Sequence, residues 1–362
     1  MTSPRASTLE DVAKACRVSK MTVSRALRHQ RGVSPDLAER IRATAEKLGY
    51  RTNPALGSVM KALRQRRASD YRENLAFVWT HPNGKPIPLL LPWRDYARER
   101  AEHLGYRLDE FFLRAAGMSA ARLRSVLQAR GIRGVLFAPD TEPPLPHISF
   151  DVTGFAAVLL GSSLQNRGLA RVQFDHFQLI HLALRHIRKA GYRRPALLLS
   201  PSIDGRTQGR LRAGYLVHSP APTGERPRLI YLGDIDDRTS TAAWLKSRDA
   251  DVAIYLQGDQ RRFLESAGLR VPQKIAFVSL AREPGMPDIA GVVQSAEALG
   301  SAAVDLVAAQ LQRHEFGRQP FPQKVMLEGE WSPGLTLPRH RADSPARTRA
   351  TFRPASRLSP KP

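Results

Sequence analysis

The fold of this chain is decided at its start by the stretch Thr8-Leu-Glu-Asp-Val-Ala-Lys-Ala-Cys-Arg-Val-Ser-Lys-Met-Thr-Val-Ser-Arg-Ala-Leu27. Its apolar spacing predicts two short helices joined by a tight turn. A third helix is predicted to begin at Ser34-Pro-Asp36 and to run to Leu48-Gly-Tyr50, since serine followed by proline is a typical helix start and glycine a typical helix end. These residues therefore predict three consecutive helices.

Local signals and apolar spacing indicate how the three helices begin and pack. Thr8 with Asp11 three residues later is a variant of the capping box, and Ser19 is the expected cap of the second helix. Apolar residues recur at helical spacing through all three segments: Leu9, Val12, Ala13, Val18, Val23, Leu27, Leu37, Ile41, Ala45 and Leu48. They are sufficient for the core of a small three-helix bundle.

The outer side of the second helix is left with cations and hydroxyl groups: Lys20, Met21, Thr22, Ser24, Arg25 and Arg28. A helix that presents such groups from its N-terminal half suits the major groove of DNA. The same pattern is also typical of a small bundle with a solvated basic face. The residues by themselves leave both interpretations open.

Four motifs closely resemble the headpiece of the lactose/galactose-repressor family: Leu9-Glu-Asp-Val-Ala-Lys14, Val18-Ser-Lys-Met-Thr-Val-Ser-Arg25, Gly32-Val-Ser34 and Leu48-Gly-Tyr-Arg-Thr-Asn-Pro54. The motifs are specific in combination and run from residue 9 to residue 54. The resemblance implies that residues 1–52 form a helix-turn-helix DNA-binding headpiece.

The resemblance also implies roles for single residues. Three are expected to read bases: Lys20, Met21 and Arg25, the last because an arginine fork reads guanine well. Five are expected to contact phosphates: Thr8, Thr22, Ser24, Arg28 and Ser34. Phosphate contacts fix the register on the duplex and carry no sequence information themselves.

Residues 53–72 are predicted to be a hinge helix or linker, and here the chain departs from its relatives. The family carries an Asn-Pro-x-Ala-Arg-x-Leu motif whose leucine wedges into the minor groove of the operator. This chain keeps Asn53-Pro54 but has Leu56-Gly57 in place of alanine and arginine, and the wedge position falls on Val59, with Met60 beside it. Because glycine weakens an isolated helix by roughly 1 kcal/mol, the hinge is expected to order only with DNA in a dimer.

From residue 73 to residue 338 the sequence alternates short apolar runs with amphipathic segments. The predicted strands are Leu75–Trp79, Gly134–Ala138, Ala156–Leu160, Pro195–Leu199, Leu229–Leu232, Val252–Leu256 and Ile275–Leu280. The predicted helices include Arg94–Leu104, Ala120–Arg130, Phe177–Ala190, Gln260–Gly268 and Ser295–Gln312. This alternation predicts a doubly wound α/β fold with parallel sheets, in two lobes at this length.

Four further motifs resemble the family's core: Val172-Gln-Phe-Asp-His176, His186 to Gly191-Tyr-Arg-Arg194, Gly268-Leu-Arg-Val-Pro272 and Gln294-Ser-Ala-Glu-Ala-Leu-Gly300. The resemblance implies an effector-binding and dimerisation core shaped like a periplasmic sugar-binding protein. Its two lobes are expected to close on a small molecule, with three crossings of the chain between them.

Ligands in such sheets bind outside the carboxyl ends of the strands. The candidate effector-binding residues there are Thr80, His81, Asp140, Ser162, Arg206, Arg210, Gln257 and Asp259. Three family features are missing: Leu211 replaces the usual arginine, Ala281 replaces a frequent aspartate, and Glu330-Trp-Ser-Pro-Gly-Leu-Thr336 replaces an arginine-containing motif. The effector is therefore a saccharide, another molecule, or absent.

The whole chain has a net charge of +23, and its positive charge is densest at the two ends. Residues 1–70 hold 15 Lys and Arg against 6 Asp and Glu, and residues 339–362 hold 7 against 1. This distribution favours a polyanion as partner, although an arginine-rich composition is also typical of a GC-rich genome. Residues 339–362, rich in Pro, Ser and Arg, are predicted to be a disordered basic tail.

Other chemistry has little support in the sequence. Cys16 is the single cysteine and is expected to pack in the headpiece turn, and His176, His181 and His186 are spaced too far around a helix to share a metal. No phosphate-binding loop, dinucleotide fingerprint, nucleophile elbow or zinc-protease motif occurs. No catalytic residue, metal or cofactor is expected, and the absence of a leader or an apolar span predicts a cytoplasmic, nucleoid-associated protein.

The sequence as a whole predicts a transcriptional repressor that binds a palindromic DNA operator as a homodimer and responds to a small-molecule, sugar-like effector. Two alternatives stay open. One is a DNA binder whose core has lost its effector response, such as a ligand-independent regulator or an architectural protein. The other is a metabolic α/β enzyme with an incidental N-terminal bundle.

Overall fold

The computed structural model describes residues 9–27, 33–48, 73–81, 84–140, 147–256 and 260–340. The chain divides into two compact units, Met1–Tyr71 and Arg72–Pro362, each with its own core. No helix among the described residues has the length and apolar composition that a membrane crossing requires.

The first unit contains the three predicted helices, α1 (Leu9–Cys16), α2 (Lys20–Leu27) and α3 (Pro35–Lys47). Its core consists of small and branched apolar side chains from all three: Val12, Ala13, Cys16, Val23, Ala26, Ile41 and Ala45. Cys16 packs in this core, as expected. The prediction for Leu48 was wrong, because this side chain lies after the end of α3 and is 38% exposed.

The helix starts were predicted with mixed success. The Ser19 Oγ accepts a hydrogen bond from the Thr22 backbone N–H at 3.1 Å, so Ser19 caps α2 as expected. Ser34 occupies the N-cap position of α3 in an extended conformation, but its side chain makes no capping hydrogen bond. Pro35 at the first helical position, where its missing N–H costs nothing, therefore fixes this helix start. Thr8 and Gly49 lie outside the described residues.

The second unit is a two-lobed α/β structure. Its strands are β1 (Glu73–Trp79), β2 (Tyr106–Phe112), β3 (Gly134–Phe137), β4 (Ala156–Leu160), β5 (Ala170–Phe174), β6 (Pro195–Leu199), β7 (Ile230–Leu232), β8 (Val252–Tyr255), β9 (Ala276–Arg282), β10 (Gly291–Val293), β11 (Lys324–Leu327) and β12 (Glu330–Ser332). Its helices are α4 (Leu91–His103), α5 (Ala120–Ala129), α6 (His176–Lys189), α7 (Pro201–Arg206), α8 (Arg210–His218), α9 (Arg238–Ser247), α10 (Arg261–Ser266) and α11 (Ala296–Arg313).

Within the described residues the strands form two six-stranded sheets, one in each lobe. The strand order is β11-β5-β4-β3-β1-β2 in lobe 1 and β12-β10-β9-β8-β6-β7 in lobe 2. Each neighbouring pair is parallel except β10 and β12, which are antiparallel. The predicted parallel two-lobed fold is confirmed, and all seven predicted strands exist with boundaries shifted by a few residues at most.

Several elements were not predicted: strands β2, β5, β10, β11 and β12, and helices α7, α8 and α9. Strand β2 mixes polar and apolar residues because it forms the edge of its sheet, where Glu110 binds Arg94 and Arg98. Strand β5 contains the buried polar residues Arg171 and Gln173, which interrupt its apolar run. Both strands lack the continuous apolar pattern that marks a buried parallel strand.

The described chain passes between the lobes three times, as the family resemblance implied. It leaves lobe 1 between β5 and α6, returns between β10 and α11, and leaves again between β11 and β12. Helix α11 follows a strand of lobe 2 but packs on α4 and on the sheet of lobe 1. Neither lobe is therefore a continuous piece of sequence.

Helix α11 approaches α4 closely at Gly300, which is buried. A Cβ atom at this position would lie 2.6 Å from the Trp93 carbonyl oxygen and 2.8 Å from the Ala97 nitrogen. Both are backbone atoms, so they cannot give way by a side-chain rotation. The absence of a side chain at Gly300 is thus what allows the two helices to pack at this distance.

We expect Gly300→Ala to lower the free energy of unfolding by about 1–2 kcal/mol. The forced separation of α11 from α4 outweighs the better helix propensity of alanine. Gly224→Ala is the matched control, because a Cβ there meets no atom within 4 Å. Chemical denaturation of the full chain measures both variants, and equal stability of the two would contradict the close-packing assignment.

Candidate nucleic-acid interface and interlobe cleft

The surface of α2 is built by its core contacts. Val23 and Ala26 are buried against α1 and α3, and this orientation leaves Arg25 exposed. The Ser19 and Thr22 hydroxyl oxygens lie 2.8 Å apart, so the start of the helix is held by two hydrogen bonds. Helix α2 contains no acidic residue, so the exposed Arg25 has no carboxylate on its own helix.

The structure places the predicted DNA-contacting residues as far as it describes them. Lys20, Met21, Ser24 and Arg25 lie on α2 with the partly buried Thr22, and Ser34 is exposed at the start of α3. Thr8, Arg28, Asn53, Pro54, Val59 and Met60 lie outside the described residues.

The second candidate site is a cleft in the second unit with about 580 Å³ of empty space, part of it open to solvent. Its walls come from both lobes: Leu89, Leu90, Pro139, Asp140, Ser163, His176, Arg206, Leu256, Ala281 and Gln294. Most of these residues lie at or just beyond the carboxyl ends of β3, β4, β5, β8, β9 and β10. The cleft is therefore at the position expected for parallel sheets.

Two predicted effector residues line this cleft, Asp140 from lobe 1 and Arg206 from lobe 2. Thr80 lies behind the wall, 1% exposed, and its hydroxyl donates to the Ala138 carbonyl oxygen at 3.0 Å. His81 places its Nδ1 atom 3.6 Å from the Asp140 Oδ1 atom. Both residues are thus in position to support the wall around Asp140.

Two other predicted effector residues, Ser162 and Arg210, are not part of the described lining. Ser162 is buried, and its neighbour Ser163 lines the cleft instead. Arg210 is partly buried on α8, where its Nη1 atom lies 3.7 Å from the Met326 sulfur. Gln257 and Asp259 lie outside the described residues.

Sequence reasoning missed His176 as a lining residue. It is the first residue of α6, whose N-cap Asp175 accepts hydrogen bonds from the Phe177 and Gln178 N–H groups at 3.1 and 3.3 Å. Its imidazole is 8% exposed, and its Nδ1 atom has no hydrogen-bond partner among the described residues. Burial, with added repulsion from Arg206 and Arg210, lowers its pKa to about 4. His176 is therefore uncharged at neutral pH.

Arg171 explains why Ser163 reaches the cleft. Its side chain is buried inside β5, and its guanidinium donates to the carbonyl oxygens of Gly161, at 2.6 Å, and Leu164. Burial lowers the pKa of Arg171 to about 10. These bonds hold the loop after β4 on which Ser163 lies. The sequence signal for β5 was the segment Ala170–Phe174 followed directly by Asp175, a typical helix cap. This combination marks the carboxyl end of a strand, which here faces the cleft.

The three spaced histidines of α6 occupy three different surroundings. His176 lies at the cleft, His181 packs edge-on against His218 with ring centroids 4.0 Å apart, and His186 stacks on Trp331 at 4.4 Å. Among the described residues no three His, Cys, Asp or Glu side chains come together in a way that could hold a metal ion.

We expect His176 to make the protein less stable in mild acid. As the pH falls from about 6.5 towards 4, the unfolded chain binds a proton at this imidazole that the folded chain does not, so the free energy of unfolding falls. His176→Gln should flatten the fall over this range. Burial also lowers the pKa values of His186 and His218. Both residues are present in the wild type and in the variant, so their contributions cancel in the comparison of the two proteins. Denaturation of both proteins at several pH values measures the free energy of unfolding. Parallel curves of this free energy against pH would contradict the lowered pKa of His176.

Comparison with known proteins agrees with both parts of the structure. Residues 8–53 match the family described as "Bacterial regulatory proteins, lacI family". The chain is 26% identical to the HTH-type transcriptional regulator GntR of Pseudomonas aeruginosa over 83% of this chain and 88% of that protein. It is 25% identical to the HTH-type transcriptional regulator CelR of Thermobifida fusca over 90% and 96%.

Two solved structures share the fold. The lac repressor dimer bound to operator and the anti-inducer ONPF gives a TM-score of 0.53 at 18% identity, covering 92% of this chain and 100% of that one. The complex of the transcriptional regulator CelR with cellobiose gives a TM-score of 0.51 at 20% identity, covering 90% and 98%. The described part of the first unit is thus a helix-turn-helix bundle whose residues match the lacI family of bacterial regulatory proteins, and the chain as a whole shares the fold of these two regulators.

Proposed function

We propose that this DNA-binding regulator is a repressor that recognises a palindromic operator as a homodimer and is controlled by a small molecule in the interlobe cleft. The observation that carries the proposal is the exposed face of α2. Arg25 is held there by the burial of Val23 and Ala26, on a helix without acidic residues. A guanidinium in this position suits the two acceptors that guanine presents in the major groove.

The proposed roles follow from that face. Lys20, Met21 and Arg25 read base edges, whereas Thr22, Ser24 and the α3 start at Ser34 bind phosphates. Thr8 and Arg28 join the phosphate set. The hinge residues Asn53-Pro54 and Val59-Met60 enter the minor groove between the half-sites, where apolar wedges bend DNA. DNA as the ligand places the protein in the cytoplasm, on the nucleoid.

The homodimer is proposed because one headpiece reads only a short half-site. Helix-turn-helix proteins commonly pair so that two recognition helices enter major grooves one helical turn apart, which requires a nearly palindromic site. The similar lac repressor structure is a dimer bound to its operator. Sedimentation of the full chain with and without a symmetric site tests this stoichiometry.

Control by a small molecule is proposed from the cleft, whose walls come from both lobes. A ligand that contacts both walls favours one arrangement of the lobes and thereby biases DNA binding, through a coupling free energy that is commonly about 1–3 kcal/mol. The similar CelR structure holds cellobiose.

A second candidate function is a regulator that has lost effector control. It is favoured by Leu211, which is fully buried on α8 where relatives carry an arginine, and by Ala281 in the cleft wall. Neither residue can hold a sugar hydroxyl by its side chain. DNA affinity that no metabolite changes would support this second function.

Selection of bound sequences from a random DNA pool at near-physiological salt tests DNA recognition directly. We expect a two-fold symmetric motif, because two identical headpieces impose their symmetry on the site. Binding without any enriched motif would contradict sequence-specific regulation and favour an architectural role.

We expect Arg25→Ala to weaken operator binding by about 1–3 kcal/mol and to relax base preference at one position of each half-site. Lys47→Ala is the control, since it removes one exposed cation from α3 of the same unit. Fluorescence anisotropy on the selected site and its single-base variants measures both. An equal loss on every sequence would show that Arg25 binds phosphate instead.

A further inference from the structure

The charged groups of the interlobe cleft are unevenly paired. Arg206, the last residue of α7, lines the cleft and forms no hydrogen bond or ion pair with any described residue. Arg94, elsewhere in the same unit, has its guanidinium 2.5 Å from Glu110 and 2.7 Å from Asp95. Arg206 and Arg94, both partly buried, thus differ in that only Arg94 has carboxylate partners among the described residues.

Among the described residues, nothing compensates the desolvation of Arg206. Burial lowers its pKa, and no described carboxylate opposes that shift. For Arg94 the two carboxylates outweigh burial and raise the pKa. Removing a charge from water without a counter-charge is unfavourable, so Arg206 is a group that a bound anion would stabilise.

Two further polar groups of the lining also lack partners. The Ser163 hydroxyl is 3% exposed and the His176 imidazole 8% exposed, and neither the Ser163 Oγ nor the His176 Nδ1 atom has a hydrogen-bond partner among the described residues. Buried polar atoms in native proteins are nearly always satisfied. Three unsatisfied groups around one cavity therefore indicate a ligand with several polar atoms.

Asp140, the acid of the described lining, does not neutralise this site. Its carboxylate lies 3.6 Å from His81 Nδ1 and 3.8 Å from Arg114 Nη1, both in lobe 1. On the opposite wall, Arg210 adds a second positive charge near His176. Two carboxylates oppose these charges: Asp175 acts on His176 in the opposite sense, and Asp204 binds the Arg212 guanidinium at 3.1 Å. Neither forms an ion pair with Arg206, which stays unpaired among the described residues.

We propose that the cleft binds a small polyhydroxylated anion, whose carboxylate or phosphate pairs with Arg206 while Ser163 and His176 bind its hydroxyls. This inference rests on the proposed effector control and specifies the chemical class of the effector. A neutral saccharide would satisfy Ser163 and His176 but would leave Arg206 desolvated and unpaired. His176, uncharged at neutral pH, can donate or accept without adding charge.

Calorimetric titration of the full chain tests the charge requirement with matched probes. D-gluconate, D-galactonate and D-xylonate are compared with D-glucose, D-galactose and D-xylose, and D-glucose 6-phosphate distinguishes phosphate from carboxylate. We expect at least one anion to bind about tenfold or more tightly than its neutral parent, as a charge-assisted hydrogen bond implies. Equal binding of the neutral sugars, or no binding of any anion, would overturn the proposal.

Substitution of Arg206 separates the site from general charge attraction. Arg206→Met should abolish the preference for the anion over its parent sugar, whereas Arg248→Met, which removes a distant exposed cation, should preserve it. An anion preference that survives in Arg206→Met would overturn the proposal. DNA selection with the same variant is independent, since the headpiece is a separate unit. If no anion binds but the DNA motif is unchanged, only the proposal of an anionic effector is wrong, and the proposed DNA recognition stands.

Ligand-free stability gives a readout that needs no effector. Arg206→Met should raise the melting temperature of the unliganded protein, because it removes an uncompensated charge from a partly buried position. Arg94→Met should lower it, because the substitution removes one of the two cations bound to Glu110 and the nearer of the two cations beside Asp95. A lower melting temperature for Arg206→Met would mean that Arg206 is stabilised within the protein, which contradicts the proposal.

Discussion

The packing of α11 on α4 is the interaction on which the second unit depends. Helix α11 follows a strand of lobe 2, yet its buried face, with Gly300 against the backbone of α4, completes lobe 1. Lobe 1 therefore cannot form its full core until the chain has also passed through lobe 2. This contact makes the two lobes one cooperative unit and forces the chain to cross between them beside the cleft.

The crossings position the cleft's chemistry. The passage from β5 to α6 places Asp175 as a helix cap and His176 at the cleft wall, while Arg171 inside β5 fixes the neighbouring loop through backbone carbonyls. In lobe 2 the short helix α7 ends at Arg206. Ser163 and His176 are thus positioned by backbone structure whose neighbouring hydrogen bonds are formed, although the Ser163 Oγ and His176 Nδ1 atoms themselves have no partner among the described residues.

Elements with a local cause were predictable from sequence, and elements with a distant cause were not. Ser19 is a typical helix cap and does cap α2. Ala156–Leu160 is apolar throughout because β4 is buried in the middle of its sheet. Strand β5 carries Arg171, whose bonds with the loop after β4 no local pattern reveals. Helix α8 was not predicted because it contains Gly214, and glycine is typical of turns. Glycine is required here because Ile180 and Phe177 on α6 approach this position closely. The cleft was predictable from topology, but two of its lining residues were not. His176 was missed because β5 was missed, and Ser163 because the loop after β4 turns this residue, and not the predicted Ser162, into the cleft.

The candidate arginines of the two units differ in their exposure to solvent, and therefore in how salt affects their interactions. Arg25 is exposed, and the headpiece that carries it is proposed to bind DNA partly through phosphate contacts, whose strength falls as salt increases. Arg206 is partly desolvated, and an ion pair formed there is screened much less by salt. Under the proposed function, a regulator with this arrangement would keep its metabolite response over a range of ionic strength in which its DNA affinity changes steeply. Salt would then alter operator occupancy mainly through the headpiece, whereas the metabolite would act through the cleft.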